Sequence, residues 1–311
     1  MGIRHLGYAC QNLSLAEGCK KKDRILTDRT LRMNRFSLEL VGDIALQNCN
    51  DLLPILEWNR KNDIRFFRIG SGIFPFMDHP DIGYSLADLS TDHREAITAA
   101  LRRAGVFARD AGMRLSCHPG PYTCLASPDS KIKDKSIVSL NMHSLIGDLL
   151  GYGDEFAINI HVGGVYEGKD ATAERFCEAY RGLDEKVKAR LTLENDDKES
   201  MWGMTELYDK IHRNSGIKLV LDIHHHRFCR RESLAEAAAM AFETWQGFCE
   251  IPKIHYSESK PNSRPQAHSD YIQEPIPLLD GEYDVMIEAK AKDLALLNYR
   301  KLVKDWTGCN V

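Results

Sequence analysis

Residues 156–161 read Phe156-Ala157-Ile158-Asn159-Ile160-His161, five mostly apolar residues that end on a histidine. A run this short and rich in Ile and Phe has the pattern of a parallel strand buried on both faces. A polar residue at the carboxyl end of such a strand is what an α/β barrel presents at its active face. The unit recurs in both directions from here. Candidate strands lie at 3–8, 64–69, 113–117, 156–160, 191–193, 217–221, 253–256 and 284–287. Between them are helical patterns, clearest at 92–111, 232–245 and 291–306, where apolar residues return at intervals of three and four. Eight β-then-α units predict one closed (β/α)8 TIM barrel spanning 1–311 as a single domain, its active site at the carboxyl ends of the strands. A doubly wound open sheet is the alternative. Pro and Gly are dispersed, so no linker divides the chain, and low complexity is confined to the alanine-rich stretch 235–241. Two loops are long, 70–90 and 257–270, and both follow strand ends. Long loops within compact domains are commonly functional.

Composition narrows the partners. The 311 residues carry 41 Lys and Arg against 45 Asp and Glu, a net charge of −4. A polyanion is therefore not held by overall basicity and needs a local basic surface or metal ions. No apolar run approaches the roughly 18 residues that span a bilayer. The opening Met-Gly-Ile-Arg-His-Leu lacks the apolar core of a signal peptide. Nine cysteines contain no C-x-x-C pair, which fits reduced thiols in a cytoplasm and excludes a zinc ribbon.

Strand after strand ends on a metal-ligating residue type: His118 on the third, His161 on the fourth and Glu194 on the fifth. The sixth ends on Asp222 followed by His224, His225 and His226, the seventh holds His255, and Glu288 follows the eighth. Any one of these alone reads as a hydrogen-bonded loop residue. Six ends converging on one barrel face read as a metal centre, and mixed carboxylates and imidazoles suit Mn²⁺, Zn²⁺ or Fe²⁺. The three consecutive histidines cannot all face one site, because adjacent side chains diverge. Cys117 reads as a buried thiol. There is no phosphate loop, no dinucleotide fingerprint and no nucleophile elbow at Ser71; the stretch 151–154 reads as a turn. Lys20-Lys21-Lys22 reads as a solvated face. Arg227, Arg230, Arg231, Lys260 and Arg264 follow ligand-bearing strands and suit the rim of a phosphate track.

The assembled motifs resemble the UV damage endonucleases, metal-dependent DNA repair enzymes related to endonuclease IV. The resemblance covers most of the chain. It rests on the segments 6–13 (Leu-Gly-Tyr-Ala-Cys-Gln-Asn-Leu), 67–71, 118–120, 161–166 and 193–196. It continues through Asp222 with His225-His226, 252–255, the Arg264-Pro265…His268 segment and 285–290. What the resemblance implies is a nick immediately 5′ to pyrimidine dimers and 6-4 photoproducts in duplex DNA, made by three divalent metals, usually Mn²⁺, with Zn²⁺, Mg²⁺ or Co²⁺ as alternatives. It implies His118, His161 and Glu194 for one metal, Glu194, Asp222, His255 and Glu288 for a second with Glu194 bridging, and His225 with His268 for the third. Lys253 matches a lysine carboxylated in the family, and His79 a histidine near the scissile phosphate. Tyr8 and Asn12 match residues around an extruded lesion. Pro121-Tyr122 stands where the family places a Gln-Tyr pair that probes the duplex, and proline offers no N–H to an orphaned base. A monomer acting in the cytoplasm, at the nucleoid, is expected. A metal-dependent sugar isomerase of the same superfamily is the alternative.

Overall fold

The computed structural model describes residues 2–16, 36–248 and 250–307; the Lys20-Lys21-Lys22 run, Cys19, Cys249 and Cys309 lie outside the described residues. Strands β1 (Ile3–Ala9), β2 (Phe66–Ile69), β3 (Arg114–Cys117), β4 (Ala157–Ile160), β5 (Leu191–Glu194), β6 (Lys218–Asp222), β7 (Lys253–Tyr256) and β8 (Tyr283–Ile287) close in sequence order into one parallel barrel. The seam is β1 against β8, with Gly7 opposite Met286 and Tyr8 opposite Ile287. The open sheet is thereby excluded.

Helices α1 (Leu38–Lys61), α2 (Thr91–Asp110), α3 (Ser130–Leu150), α4 (Lys169–Arg181), α5 (Leu234–Glu243) and α6 (Lys292–Thr307) form the outer layer. Their starts are set locally. Ser37, Ser90, Asp129 and Ser233 each accept a first-turn backbone N–H through the side chain, a bond whose loss costs about 1 kcal/mol. Helix α3 ends on Gly151 at φ 72°, the left-handed conformation that glycine adopts without penalty, so the stretch 151–154 is the turn its composition indicates.

The barrel departs from eight helical crossovers between β7 and β8. No helix occurs among residues 257–282, and the long loop runs the whole distance. Pro261, Pro265, Pro275 and Pro277 explain it, since each removes an N–H and disfavours helix in the residue before it. The loop is organised instead by Glu258, whose carboxylate accepts the N–H groups of Gln273 and Glu274, and by a bridge between Ser259 and His268.

Alternation along the strands separates two environments. Leu115, Ile158, Ile160, Leu193, Leu219, Leu221, Ile254 and Val285 face the helices in one apolar core. The alternate set faces the barrel axis: Ala9, Phe66 and Met286 form a small cluster of their own. Toward the amino-terminal end, buried Asp284 accepts Nε of Arg4 at 2.9 Å and Nη1 of Arg114 at 2.8 Å. Gly7 is required on this inner face, because a Cβ there would stand 2.6 Å from the Phe66 carbonyl oxygen. Inner-face residues at the carboxyl ends of the strands therefore have one destination, a common centre.

Candidate metal centre

Glu194, the last residue of β5, is that centre. It is 1% exposed, and four imidazoles surround it: His118 Nε2 at 3.5 Å, His161 Nε2 at 3.8 Å, His255 Nδ1 at 3.1 Å and His225 Nδ1 at 3.4 Å. Three overlapping sets of donors, each gathered within 4.8 Å, can hold an ion: His118, His161 and Glu194; Glu194, Asp222 and His225; Asp222, His255 and Glu288. Glu194 and Asp222 each belong to two sets. Seven of the nine ligand positions anticipated from sequence thus converge. His225 also gathers with Glu194 and Asp222.

His268 and Lys253 lie at the edge of this group. His268 Nδ1 bonds to the Glu288 carbonyl at 3.0 Å, and its ring lies 5.9 Å from that of His225. His118 Nδ1 bonds likewise to the Pro119 carbonyl, and His225 Nδ1 to the Asn195 carbonyl, both at 2.9 Å. In each ring the Nδ1 proton is fixed on a main-chain oxygen, which leaves Nε2 as a lone-pair donor, the arrangement of metal-ligating histidine. Lys253 Nζ is buried on the inner face with no hydrogen-bond partner among the described residues. Burial first, then the Arg114 and Arg68 guanidinium groups, push its ammonium down to about 7.

The residues fit a divalent ion. Asp222 Oδ2 and both ring nitrogens of His255 are buried with no hydrogen-bond partner among the described residues. Buried polar atoms left so are costly, and a cation shared among them removes the cost. Electrostatics agree. Burial opposes charge on Glu194, yet His255 and His161 hold its carboxyl well below the ordinary range. Burial lowers His118. For His161 and His225 burial is outweighed: Glu194 and Asp196 raise the first to about 10, Asp222 and Glu194 the second to about 9. Without metal, protons on these two rings neutralise the carboxylates.

The turn Ile223–His226 sorts the three histidines, since successive helical residues point about 100° apart. Asp222 caps it, accepting the His225 N–H at 2.8 Å, and so fixes His225 toward the cluster. His226 turns to Glu232, 3.5 Å away. His224 reaches the Gln266 carbonyl at 3.3 Å and packs edge-on against Phe228 and His268.

Sequence reasoning passed over four supporting residues. Arg68, on the inner face of β2, pairs with Glu288. Asn159 donates to Glu194. Asp196 Oδ1 stands 3.1 Å from His161 Nδ1. Asn195 brackets Asp222, accepting its N–H and donating to its carbonyl. Asn159 and Asp196 each sit two residues from a ligand, and that two-residue period is the signal that finds them.

The expected DNA-contacting residues are dispersed. Tyr122 is 81% exposed and Pro121 is exposed beside it, at the mouth of the barrel. His79 lies in the β2–α2 loop, edge-on to Phe76 and outside the three donor sets. Tyr8 and Asn12 are not brought to the cluster. Tyr8 is 0% exposed on the helix-facing side of β1, packed on Phe67; its hydroxyl donates to Asn59 Oδ1 at 2.6 Å and accepts from Asn12 Nδ2 at 2.8 Å. The rim is partly basic: Arg227, Arg230 and Arg264 are exposed, while Lys260 is tied to Asp270. The described cysteines are free thiols, and Cys117 is buried. No described helix is long and apolar enough to cross a membrane.

Fold and site together define a (β/α)8 barrel with a cluster of donors for divalent metals at the carboxyl ends of its strands. The family described as UV-endonuclease UvdE matches residues 4–311. The UV-damage endonuclease of Schizosaccharomyces pombe is 36% identical over 309 residues, 94% of this chain and 49% of that protein, so the chain spans about half of that relative. The UV DNA damage endonuclease of Bacillus thuringiensis subsp. konkukian is 31% identical over 307 residues, 96% of this chain and 93% of that protein. The crystal structure of SacUVDE superposes with a TM-score of 0.82 at 31% identity, covering 97% of this chain and 98% of that one. The chain belongs to the UV damage endonuclease family, and its enzyme class is that of an endonuclease.

Proposed function

We propose that the protein repairs DNA by hydrolysing the phosphodiester immediately 5′ to UV photoproducts, leaving a 3′-hydroxyl and a 5′-phosphate, at a centre of three divalent metals, most suitably Mn²⁺. The observation that carries this reading is the overlap of three donor sets on Glu194 and Asp222. Such a centre supplies a hydroxide near neutral pH and stabilises charge on the attacked phosphate and the leaving oxygen. Glu194 would be shared by two ions, and His118, His161, Asp222, His255 and Glu288 would complete the two positions. His225 and His268 would hold the third, each with Nδ1 committed to a main-chain carbonyl and Nε2 left as the donor. Lys253 would add an anionic donor as a carbamate: its buried, readily neutral amine adds to CO₂ with loss of one proton, giving an anion where a cation would be repelled.

DNA lies across the open barrel face, which favours a monomer. Exposed Arg227, Arg230 and Arg264 contact phosphates, and His79 lies near the scissile one. Tyr122 wedges into the duplex with Pro121 beside it, and a damaged step unstacks at lower cost than an intact one. Tyr8 and Asn12 support this surface from beneath, holding the turn after β1.

The test is incubation of the protein and Mn²⁺ with end-labelled duplex carrying one pyrimidine dimer, beside undamaged duplex. One cut 5′ to the dimer, abolished by chelator, is expected. Metal binding without a cut on dimer-bearing or abasic duplex overturns the reading, and aldose–ketose interconversion would replace it with the isomerase.

A further inference from the structure

The segments that follow β5 and β6 are fastened to each other at both ends. At the inner end Asn195 donates Nδ2 to the Asp222 carbonyl at 3.0 Å, and its own carbonyl accepts His225 Nδ1 at 2.9 Å. Further out the two backbones meet, since a Cβ on Gly203 would stand 2.6 Å from the Cys229 carbonyl oxygen. Arg231 adds a bond from Nη2 to the Glu199 carbonyl at 2.6 Å. At the outer end stands Glu232. One oxygen of its carboxylate accepts the Thr205 hydroxyl and, at 3.3 Å, the Thr205 N–H, in the short helix Met204–Glu206.

The other oxygen of Glu232 lies 3.5 Å from Nδ1 of His226, the last residue of the turn that carries His225. Both side chains are buried, the imidazole 5% and the carboxylate 7% exposed. That oxygen and both ring nitrogens of His226 have no hydrogen-bond partner among the described residues. Buried polar atoms left so are costly, and an apolar pair of the same shape is not. Packing alone therefore favours apolar side chains at both positions. What the polar pair adds is a fixed end to the turn that Asp222 caps at its start.

We propose that Glu232 is a positioning residue for the metal centre. Holding Thr205 with one oxygen and His226 with the other, it locks the segment after β5 to the turn after β6. The Asn195 carbonyl, His225 and Asp222 are thereby kept in register. Fixing one packing among several is the best-attested use of buried polar pairs. His161 draws on the same segment, because Asp196, next to Asn195, stands 3.1 Å from its Nδ1. Two of the three donor sets thus depend on what Glu232 fastens, although Glu232 belongs to none of them. The proposal rests on the reading of the cluster as a metal centre.

The experiment compares the wild type with Glu232→Gln, Glu232→Leu and the double variant Glu232→Leu with His226→Leu. Each is melted free of metal, then titrated with Mn²⁺ and with Co²⁺, whose visible absorption reports the geometry of its ligands. Glu232→Gln keeps an oxygen for Thr205 and is expected to stay near the wild type in affinity and spectrum. In Glu232→Leu, metal affinity should fall by about 10–100-fold, the usual cost of losing a group that orients a ligand, and the Co²⁺ spectrum should change. The double variant removes the unpartnered atoms, so its metal-free Tm should return toward the wild type while its affinity stays low. That separation of stability from affinity is what a purely structural role does not produce. If both Leu variants bind metal like the wild type, or if affinity recovers together with Tm in the double variant, Glu232 supports the fold alone. The proposal then falls and the metal centre stands. If Glu232→Leu fails to fold, the double variant decides. If the wild type itself binds no metal, the metal-centre reading falls and the proposal with it.

Discussion

Asn159 donates its side-chain N–H to Oε2 of Glu194 from the same inner face of the neighbouring strand, and its own carbonyl oxygen accepts the Thr192 hydroxyl at 2.8 Å. The amide is thus held from both ends, and the carboxylate it orients is shared by two donor sets. Asn159→Ala is expected to weaken metal binding by about 10–100-fold, the usual cost of losing a group that orients a ligand. Titration of the metal-free variant with Mn²⁺ checks it, and unchanged affinity would remove Asn159 from the site.

Arg68 and Glu288 form the second such pair, each side chain 12% exposed. Arg68→Met leaves Glu288 beside Glu194 with no cation of its own. Breaking a buried pair costs about 3–5 kcal/mol, and a bound metal replaces the missing charge. Urea unfolding should show that loss in the metal-free protein and a clearly smaller one in the Mn²⁺-saturated protein. Equal losses in both states would mean that Arg68 serves packing alone.

The strands and the convergence of donor side chains were legible from sequence for one reason: each barrel strand is a short apolar run whose end reaches the same place. His161 and Glu194 announce themselves by terminating such runs. The β7–β8 connection was legible only as far as 270, because its order comes from Glu258 accepting two distant N–H groups, and no local period records that. The side of the barrel wall that Tyr8 takes is less legible. Tyr8 follows Gly7 on β1, and a shift of one residue along a strand exchanges the axis for the helices. The choice of His225 from three histidines came through the resemblance; its physical cause, the Asp222 cap on the following turn, is tertiary geometry.

Metal loading should depend on pH with a definite sign. His161 and His225 are raised to about 10 and about 9 in the metal-free fold, above the ordinary 6.5. Their contribution to stability is complete below pH 6.5 and is lost as pH rises through those values. Metal requires both rings deprotonated, so its binding releases protons and tightens with pH. Melts of metal-free and metal-saturated protein between pH 6 and 8.5 should show the gap in Tm widening as pH rises. A constant gap would sink the proton linkage.

Tyr122 is so exposed that Tyr122→Ala should change stability by less than about 0.5 kcal/mol. Its effect belongs to damaged DNA. Loss of one stacking surface is worth about 1–3 kcal/mol, so affinity for dimer-bearing duplex should fall by roughly 10–100-fold and affinity for intact duplex much less. Competition binding in chelator separates the two, and an equal fall on both would make Tyr122 a general contact.

Lys253 offers the sharpest chemical test, because its amine is buried, without a hydrogen-bond partner among the described residues, and brought to about 7. A neutral amine is the form that adds CO₂, and a carbamate is stable only while metals hold it. Protein freed of metal and dialysed in CO₂-depleted buffer should regain little Mn²⁺ or activity, and bicarbonate should restore both. Lys253→Ala should stay metal-poor whether or not bicarbonate is present. Full metal content and activity in that variant would refute the carbamate, and the ammonium would then have to be accommodated beside the cations by Glu194, whose charge favours it.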